Sequence, residues 1–385
     1  MIATQWFNKF KKYELKVLIS SSILLLIFSS FYFIESTRSR AQVLDLAKIL
    51  SDLKNQDQVK INEQLKINIK NIHDAYNQII KPYERIQDLK AQKQDVKDLE
   101  KTYAGILQYL SDLNYSSGSA LLTQLNSDID KKYNALATAQ TLTPSTQTAS
   151  VSNTPPGSGY SFQAVKTENG TFNVAIIAAD LNSTRVIVDT ASDSDCANNC
   201  PVMSLGDYVA RSGAYAGING PFFCPAEYPS CAGKTNSFDT LLMNKNKHYF
   251  NSDNNKYSTV PLVYFSGNSM GVRGQSLEWG RDASVDAVVA NFPLYISGGN
   301  NVFGGSSDPK ITSRGARTFV ANKGNFAYIG IVYNATSAEA ADVLKTLGME
   351  NALGLDQGGS TALWFGGYKA GPGRGLPSAL LFVRK

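Results

Sequence analysis

The stretch Leu353–Phe365, "LGLDQGGSTALWF", places one acid, two glycines and two hydroxyl side chains between apolar segments. An Asp followed closely by a pair of glycines is typical of a tight turn between strands. Glycines also let the backbone approach an anion closely, and successive N–H groups can form a cradle for it. The stretch therefore has two interpretations, a turn or a ligand site, and the surrounding chain has to decide between them.

Short β-rich runs, such as "TFNVAIIAADL" and "FAYIGIVY", alternate with turns throughout the C-terminal part of the chain. Two helices are predicted among them. One lies near Ser204–Ser212, and the other begins with a capping box from Thr336 to Glu339 and ends at Gly348. Because few helices separate the strands, a regular doubly wound fold is excluded. We predict an α+β domain over 161–385, with a large mixed β-sheet and flanking helices.

The N-terminal region contains an uncharged apolar run, Val17–Ile34, that is just long enough to span a bilayer. Four lysines precede it, namely Lys9, Lys11, Lys12 and Lys16. Under the positive-inside rule they predict a cytoplasmic basic segment at 1–16, a transmembrane anchor at 17–34 and an extracytoplasmic C-terminal part. A cleaved signal peptide is the alternative, but no cleavage site of the A-x-A type follows the run.

The next region, 37–139, contains a single proline and apolar residues spaced by threes and fours, which is typical of long amphipathic helices. We predict three helices that are separated by Pro82 and by a turn at "NYSSGS", with approximate ranges 37–81, 83–113 and 119–138. The region is either a self-associating coiled coil or bundle, or a spacer that buries its own apolar stripe. A linker rich in Ser, Thr and Pro follows at 140–160.

The composition limits the classes of ligand. The chain has 385 residues and a net charge of +5, which is too weak to indicate a nucleic-acid partner. Its two histidines, His73 and His248, are far apart in sequence, so a multi-histidine metal site is excluded and no cofactor is expected. The stretch "DTASDSDCANNC" contains Asp189, Asp193 and Asp195, which suggest a Ca²⁺ site as a lesser alternative. The Gly and Glu of an EF-hand are missing from this stretch.

All four cysteines lie within one short region of the chain. An even number of clustered cysteines in a region predicted to be extracytoplasmic favours disulfides. We predict the pairs Cys196–Cys200 and Cys224–Cys231, because each pair closes a short loop. Free buried thiols and a zinc site formed by all four thiolates are the alternatives.

Four segments occur in an order that resembles the phosphodiester glycosidase domain family, the domain of the lysosomal uncovering enzyme. They are "NGPFF" at 219–223, "ARTFV" at 316–320, "TLGMENALGLDQGGST" at 346–361 and "RGLPSALLFV" at 374–383. The resemblance covers roughly 160–385. The chain departs from the family pattern at Pro221 and Gln357, where the family has glycines.

The resemblance implies a site at the opening stretch. A sugar 1-phosphodiester needs a carboxylate near the sugar carbon, for which we predict Asp356, and Asn219 is predicted to bind a sugar hydroxyl or to orient Asp356. Its phosphate needs cations and hydrogen-bond donors, which are predicted to come from Arg317, Thr318, Gly358, Gly359, Ser360, Thr361 and Arg374. A triad of Ser360 with His248 is a weaker alternative, and Asp239 and Asp286 are the alternative acids.

Together these observations predict a membrane-anchored extracytoplasmic hydrolase that cleaves a sugar 1-phosphodiester in an envelope polymer or a glycoconjugate. The predicted partners are that carbohydrate substrate, the membrane through one helix, and a second copy of the chain through 37–139. The alternatives are a non-catalytic carbohydrate- or envelope-binding module and a structural coiled-coil protein of the cell envelope.

Overall fold

The computed structural model of the protein describes residues 2–54, 56–142, 149–253 and 258–385. The chain divides into two compact units, Met1–Asp74 and Ala75–Lys385. In the first unit, the large apolar side chains between Val17 and Ile34 are all more than half exposed. Among the described residues, one helical segment, Lys16–Lys54, is long and apolar enough to cross a membrane, judged by length and composition alone.

Four helices precede the strands: α1 Ile2–Lys54, α2 Asp57–Ala91, α3 Lys97–Ser111 and α4 Tyr115–Leu142. The prediction of a helix boundary at Pro82 was wrong, because α2 continues through this residue. Ile79 and Ile86, one turn to either side, are both buried in the same core, and this packing compensates for the backbone hydrogen bond that proline removes. The predicted turn near residue 114 is present between α3 and α4.

Helices α2, α3 and α4 share a small apolar core within the second unit. Ile86, Leu89, Ile106, Leu125 and Ile129 are completely buried in it. Part of the predicted apolar stripe is therefore buried among these helices. The same helices also pack on the strand-rich part of the chain, since Ala75–Lys385 form one unit. The predicted domain boundary at 140–160 stays a prediction.

Seventeen strands follow within the described residues. They are β1 Gly159–Thr167, β2 Gly170–Asp180, β3 Thr184–Thr190, β4 Ala216–Asn219, β5 Leu242–Met243, β6 Tyr249–Phe250, β7 Leu262–Ser266, β8 Ser269–Arg273, β9 Ala287–Ala290, β10 Leu294–Ser297, β11 Asn300–Asn301, β12 Gly315–Lys323, β13 Phe326–Ala335, β14 Asn351–Gly354, β15 Leu363–Phe365, β16 Tyr368–Ala370 and β17 Ser378–Arg384.

The strands form three sheets, and the α+β class is confirmed. A seven-stranded sheet has the order β1-β2-β13-β12-β14-β10-β11, and two five-stranded sheets have the orders β16-β15-β4-β17-β3 and β6-β5-β9-β7-β8. The ladders between these strands are antiparallel, so the sheets are not the single mixed sheet that the sequence predicted. The reason is that most connections are hairpins or loops, whereas parallel pairs need long crossovers.

The helices α5 Leu205–Ser212, α6 Pro309–Thr312 and α7 Ser337–Thr346 lie among the strands. Helix α5 begins at the N-cap Ser204, and α7 begins with the predicted capping box of Thr336 and Glu339. Helix α7 buries its apolar face on the seven-stranded sheet, and α5 packs on the sheet that contains β4. The main core contains side chains from all three sheets, such as Leu353, Leu380 and Val263.

The opening stretch of the sequence connects these two sheets. Strand β14 belongs to the seven-stranded sheet, and β15 belongs to the sheet of β4. The backbone N–H of Leu355 donates to Thr318 in the first sheet, and that of Asp356 donates to Gly220 beside the second. The stretch is therefore a crossing between sheets and not a hairpin turn, and it lies where several strands begin or end.

Candidate active site

Side chains from two of the packed sheets hold the backbone of Asp356 by hydrogen bonds. Its carbonyl oxygen accepts a hydrogen bond from the Asn219 amide at 2.8 Å and another from the Thr318 hydroxyl at 2.5 Å. Asn219 ends β4 and Thr318 lies in β12, and both side chains are completely buried. The Asn219 side chain also accepts a hydrogen bond from the N–H of Ala362. Asn219 and Thr318 thus fix the crossing segment and position Asp356.

The Asp356 carboxyl is half-buried and accepts hydrogen bonds from the Gln357 N–H at 2.8 Å and from the Ser360 hydroxyl. Burial raises the pKa of Asp356 to about 7, although Ser360, Arg374 and Gln357 favour the charged form. The nearby Asp88 carboxylate raises it further. A carboxyl with a pKa near neutrality is suited to proton transfer at physiological pH.

Arg317 is a buried cation without an ion-pair partner among the described residues. Its guanidinium donates to the backbone carbonyls of Ala335, Lys310 and Ser313 and to the Gln357 side chain. Only 3% of its surface is exposed, and burial lowers its pKa. A buried charge that is hydrogen-bonded but not neutralised attracts an anion.

Arg374 is the second buried cation of the site. It pairs with Asp88 of α2, and its Nη1 lies 3.6 Å from the Glu227 carboxylate. Burial by itself would lower its pKa, but Asp88, Tyr228, Asp356 and Glu227 raise it overall. Its Nε and Nη1 atoms are buried and have no hydrogen-bond acceptor within the described part of the chain. These two N–H groups can donate to a bound anion.

Helix α2 places two buried carboxylates over this end of the sandwich. Asp88 accepts a hydrogen bond from the Tyr228 hydroxyl at 2.6 Å in addition to its pairing with Arg374. Glu84, one turn earlier, pairs with Lys310 at 2.9 Å and accepts from the Ser230 hydroxyl. The two acids therefore bind cationic and hydroxyl groups that an anionic ligand would otherwise contact.

These groups surround a cavity of about 490 Å³ between α2, α4 and the strand-rich part. This volume lies within the range of sites for small molecules. Five of the predicted site residues line this cavity, namely Arg317, Asp356, Gly358, Ser360 and Arg374. Gly358 has φ +62°, a left-handed conformation that favours glycine, and a Cβ there would meet Asp88 at 3.4 Å.

The other predicted residues lie elsewhere. Asn219 and Thr318 support the backbone and do not line the cavity, while Gly359 and Thr361 line a second cavity on the other side of the turn. The predicted roles of these four residues in contacting substrate stay predictions. Of the alternative acids, Asp239 lines the first cavity, and burial raises its pKa, whereas Asp286 caps the backbone N–H of Gly267.

The four cysteines form the two predicted disulfides, with Cα–Cα distances of 5.7 Å for Cys196–Cys200 and 5.3 Å for Cys224–Cys231. The second one closes a loop that contains Glu227, Tyr228 and Ser230, all of which contact cavity residues. This disulfide therefore limits the conformations of one wall of the cavity.

Two of the three aspartates considered for Ca²⁺ have other side-chain partners. Asp189 is buried and pairs with Arg211 at 2.6 Å and Lys245 at 2.9 Å, and Asp195 accepts the N–H of Asn251. No cluster of three His, Cys, Asp or Glu side chains that could hold a metal ion is found among the described residues. His248 contacts the carbonyl of Asp193 and lines neither cavity, which argues against a triad with Ser360.

Several cavity residues were not predicted from the sequence. They are Glu84 and Asp88 of α2, Tyr228 of the disulfide loop and Lys310 of α6. One signal was present: Glu84 and Asp88 are four residues apart, on one face of a helix, next to the buried stripe positions Ile86 and Leu89. This spacing places both acids on the same side of α2, but it does not show what covers them.

Comparison with known proteins agrees with the resemblance seen in the sequence. Residues 212–383, less than half of the chain, match the family model described as phosphodiester glycosidase. A comparison with curated proteins finds no match. The resemblance of the C-terminal part to phosphodiester glycosidases is thus confirmed.

A comparison with solved structures matches, among others, a hypothetical protein from Synechocystis and a zebrafish enzyme domain. The first is 14% identical, with a TM-score of 0.41 over 58% of this chain, and the chain spans only 62% of that protein. The second is the catalytic domain of N-acetylglucosamine-1-phosphodiester alpha-N-acetylglucosaminidase, described as auto-inhibited by its pro-peptide. It is 13% identical, with a TM-score of 0.46, and 62% of this chain covers 87% of it.

Proposed function

We propose, from the phosphodiester glycosidase match over 212–383, that the C-terminal part of the chain hydrolyses a sugar 1-phosphodiester. One observation carries the proposal: Asp356, whose pKa is raised to about 7, lies beside buried Arg317 and Arg374 at one cavity. The cations suit the phosphate, and the carboxyl suits the reaction at the sugar carbon.

The phosphate of the substrate binds the two arginines in this proposal. Among the described residues, the Nε and Nη1 nitrogens of Arg374 have no acceptor and Arg317 has no carboxylate partner. Guanidinium groups match phosphate oxygens in geometry and charge. Because Asp88 and Glu84 already pair with Arg374 and Lys310, an incoming phosphate competes with the carboxylates of α2.

Asp356 acts on the water molecule that attacks the anomeric carbon. As a carboxylate it accepts one proton from water while the new carbon–oxygen bond forms and the bond from the anomeric carbon to the phosphate oxygen breaks. The electron pair of the broken bond leaves with the phosphomonoester, so the products are the free sugar and that phosphomonoester. The phosphate is a good leaving group and needs no protonation. Asp356 also stabilises the positive charge that develops on the sugar.

We propose further that Val17–Ile34 anchors the chain in a membrane, with its N-terminus in the cytoplasm and residues 75–385 outside. The apolar helical segment, the preceding lysines and the two disulfides support this arrangement. The substrate is then a sugar phosphodiester of an envelope polymer or of a glycoconjugate.

The test is incubation of the full chain, in detergent micelles, with a panel of sugar 1-phosphodiesters and measurement of the free sugar released. Asp356→Asn should lower the rate at least about 100-fold with the fold intact. Asp286→Asn is the matched control, because Asp286 lies outside the cavity. Equal rates for Asp356→Asn and the parent chain would refute the assignment of Asp356, and Asp239 would then be examined.

A non-catalytic carbohydrate-binding module is the second candidate. One observation favours this candidate: the Gln357 side chain, at a position where the family has a glycine, accepts a hydrogen bond from Arg317. This hydrogen bond occupies an N–H group that would otherwise be available to the phosphate. Binding of sugar phosphates without turnover by the parent chain, and by Gln357→Gly, would support this candidate over the hydrolase.

A further inference from the structure

A second cavity, of about 320 Å³, lies on the other side of the turn at Gly358 and Gly359. Gly358 and Gln92 line both cavities, so the two adjoin beneath the end of α2. The walls of the second cavity combine aromatic side chains with backbone from two glycine-rich turns. The hydrolytic mechanism proposed above uses none of these groups.

The aromatic wall is fixed on a long strand. Tyr160 and Phe162 project from β1 and are half-buried, so each has an exposed part and a part packed on a neighbour. The Tyr160 ring stacks on Phe365 with centroids 6.4 Å apart, and Phe162 meets the edge of Tyr333 at 6.2 Å. Rings held in this way present an apolar face at little entropic cost, and the C–H face of a sugar ring packs on such a surface.

The polar groups of the cavity point to a hydroxyl-bearing ligand. The Thr361 hydroxyl is buried and has no hydrogen-bond partner among the residues that the structure describes, which is unfavourable unless a ligand or water supplies one. At the rim, Lys369 lies 5.0 Å above the Tyr160 ring and supplies a further donor. Of the residues that line this cavity only Lys93 and Lys369 are cationic, and both are exposed at the surface.

We infer that this second cavity binds a neutral sugar unit, which packs on Tyr160 and Phe162 and hydrogen-bonds to Thr361. The inference deepens the proposed function, because it makes the substrate a saccharide that extends from the phosphodiester past Gly358. A neutral unit fits better than a second phosphate, since the buried cations line the first cavity.

The experiment measures binding of two neutral probes, triacetylchitotriose and maltotriose, to the full chain in detergent micelles by titration calorimetry. For the probe that binds, Tyr160→Ala should weaken the affinity about tenfold or more, and Tyr160→Phe should retain most of it. Thr361→Val should weaken it by about 3- to 10-fold, which corresponds to one hydrogen bond. Tyr109→Ala, an exposed tyrosine on α3, is the control and should have no effect.

Binding and turnover separate this inference from the proposed function. Saccharide binding that depends on Tyr160 and Thr361, in a chain that hydrolyses no phosphodiester, would support the subsite and refute the hydrolase. If neither trisaccharide binds with a Kd below about 10 mM, or if both variants bind as Tyr109→Ala does, the subsite is refuted even where hydrolysis is observed. Should Tyr160→Ala fail to fold, Thr361→Val decides alone.

Discussion

Replacing Asp88 with asparagine should make the protein less stable and, at the same time, a tighter binder of phosphate. Asp88 and Arg374 form an ion pair in which the side chains are only 10% and 5% exposed. Removing one partner of a buried pair typically costs about 3–5 kcal/mol. Asparagine keeps an oxygen that can accept from Arg374, so we expect the lower end, about 3 kcal/mol.

Phosphate should recover most of this loss in Asp88→Asn. In the parent chain an incoming anion must displace the charged Asp88 from Arg374, whereas in the variant it displaces only a neutral amide. If relief from this competition contributes about 2 kcal/mol, phosphate binds the variant roughly 30-fold more tightly than the parent. At a phosphate concentration 100 times its Kd, binding stabilises the folded state by about 2.7 kcal/mol, nearly the amount lost.

The assay is thermal unfolding of the full chain in detergent, with and without inorganic phosphate, combined with titration calorimetry. Glu100→Gln is the matched control, because Glu100 lies in the same helical bundle but pairs with Lys90 at the surface. Equal phosphate affinities for Asp88→Asn, Glu100→Gln and the parent would show that Asp88 does not compete with anions, and would refute the reasoning.

Four further predictions concern the site. If the Asp356 carboxylate is the base, kcat/KM should rise with pH through about 7, and a pH-independent rate would contradict this role. Because burial raises the pKa of Asp356 in the folded state, the stability that this residue contributes at low pH should be lost as pH rises from about 4 to 7. Unfolding titrations of Asp356→Asn should no longer show this dependence of the free energy of unfolding on pH. Arg317→Lys should weaken binding of a sugar phosphate more than of the free sugar, as calorimetry would measure; equal losses would exclude a phosphate contact. Replacing Cys224 and Cys231 with serine should lower the free energy of unfolding by about 2 kcal/mol and raise KM, because the loop of Tyr228 loosens; an unchanged KM would show that the loop is not part of the site.

The sequence was most informative where local chemistry decides the structure. The capping box at Thr336, the helix near Ser204–Ser212 and both disulfides concern residues close together in the chain, and all are present. The prediction that Asp356, Arg317 and Arg374 share one site came from the order of the family motifs. Periodicity and composition alone could not bring these distant residues together.

The contribution of α2 could not be predicted, because it depends on tertiary packing. A helical stripe shows that one face is buried but not what covers it, and the spacer interpretation of 37–139 gave no role to Glu84 or Asp88. The helix also continues through Pro82, where a local rule predicted an end. In both cases the packing on residues far away in sequence determined the outcome.

The carbonyl of Asp356 accepts one hydrogen bond from each of the two packed sheets, through Asn219 and Thr318. The position of the Asp356 carboxyl therefore depends on how the two sheets are aligned. A substitution in the interior between them, such as at Leu353 or Leu380, would shift the carboxyl without touching any group that lines the cavity. Activity should consequently fall at temperatures where the strands are still paired within each sheet but the sheets have begun to slide, so inactivation precedes the loss of secondary structure.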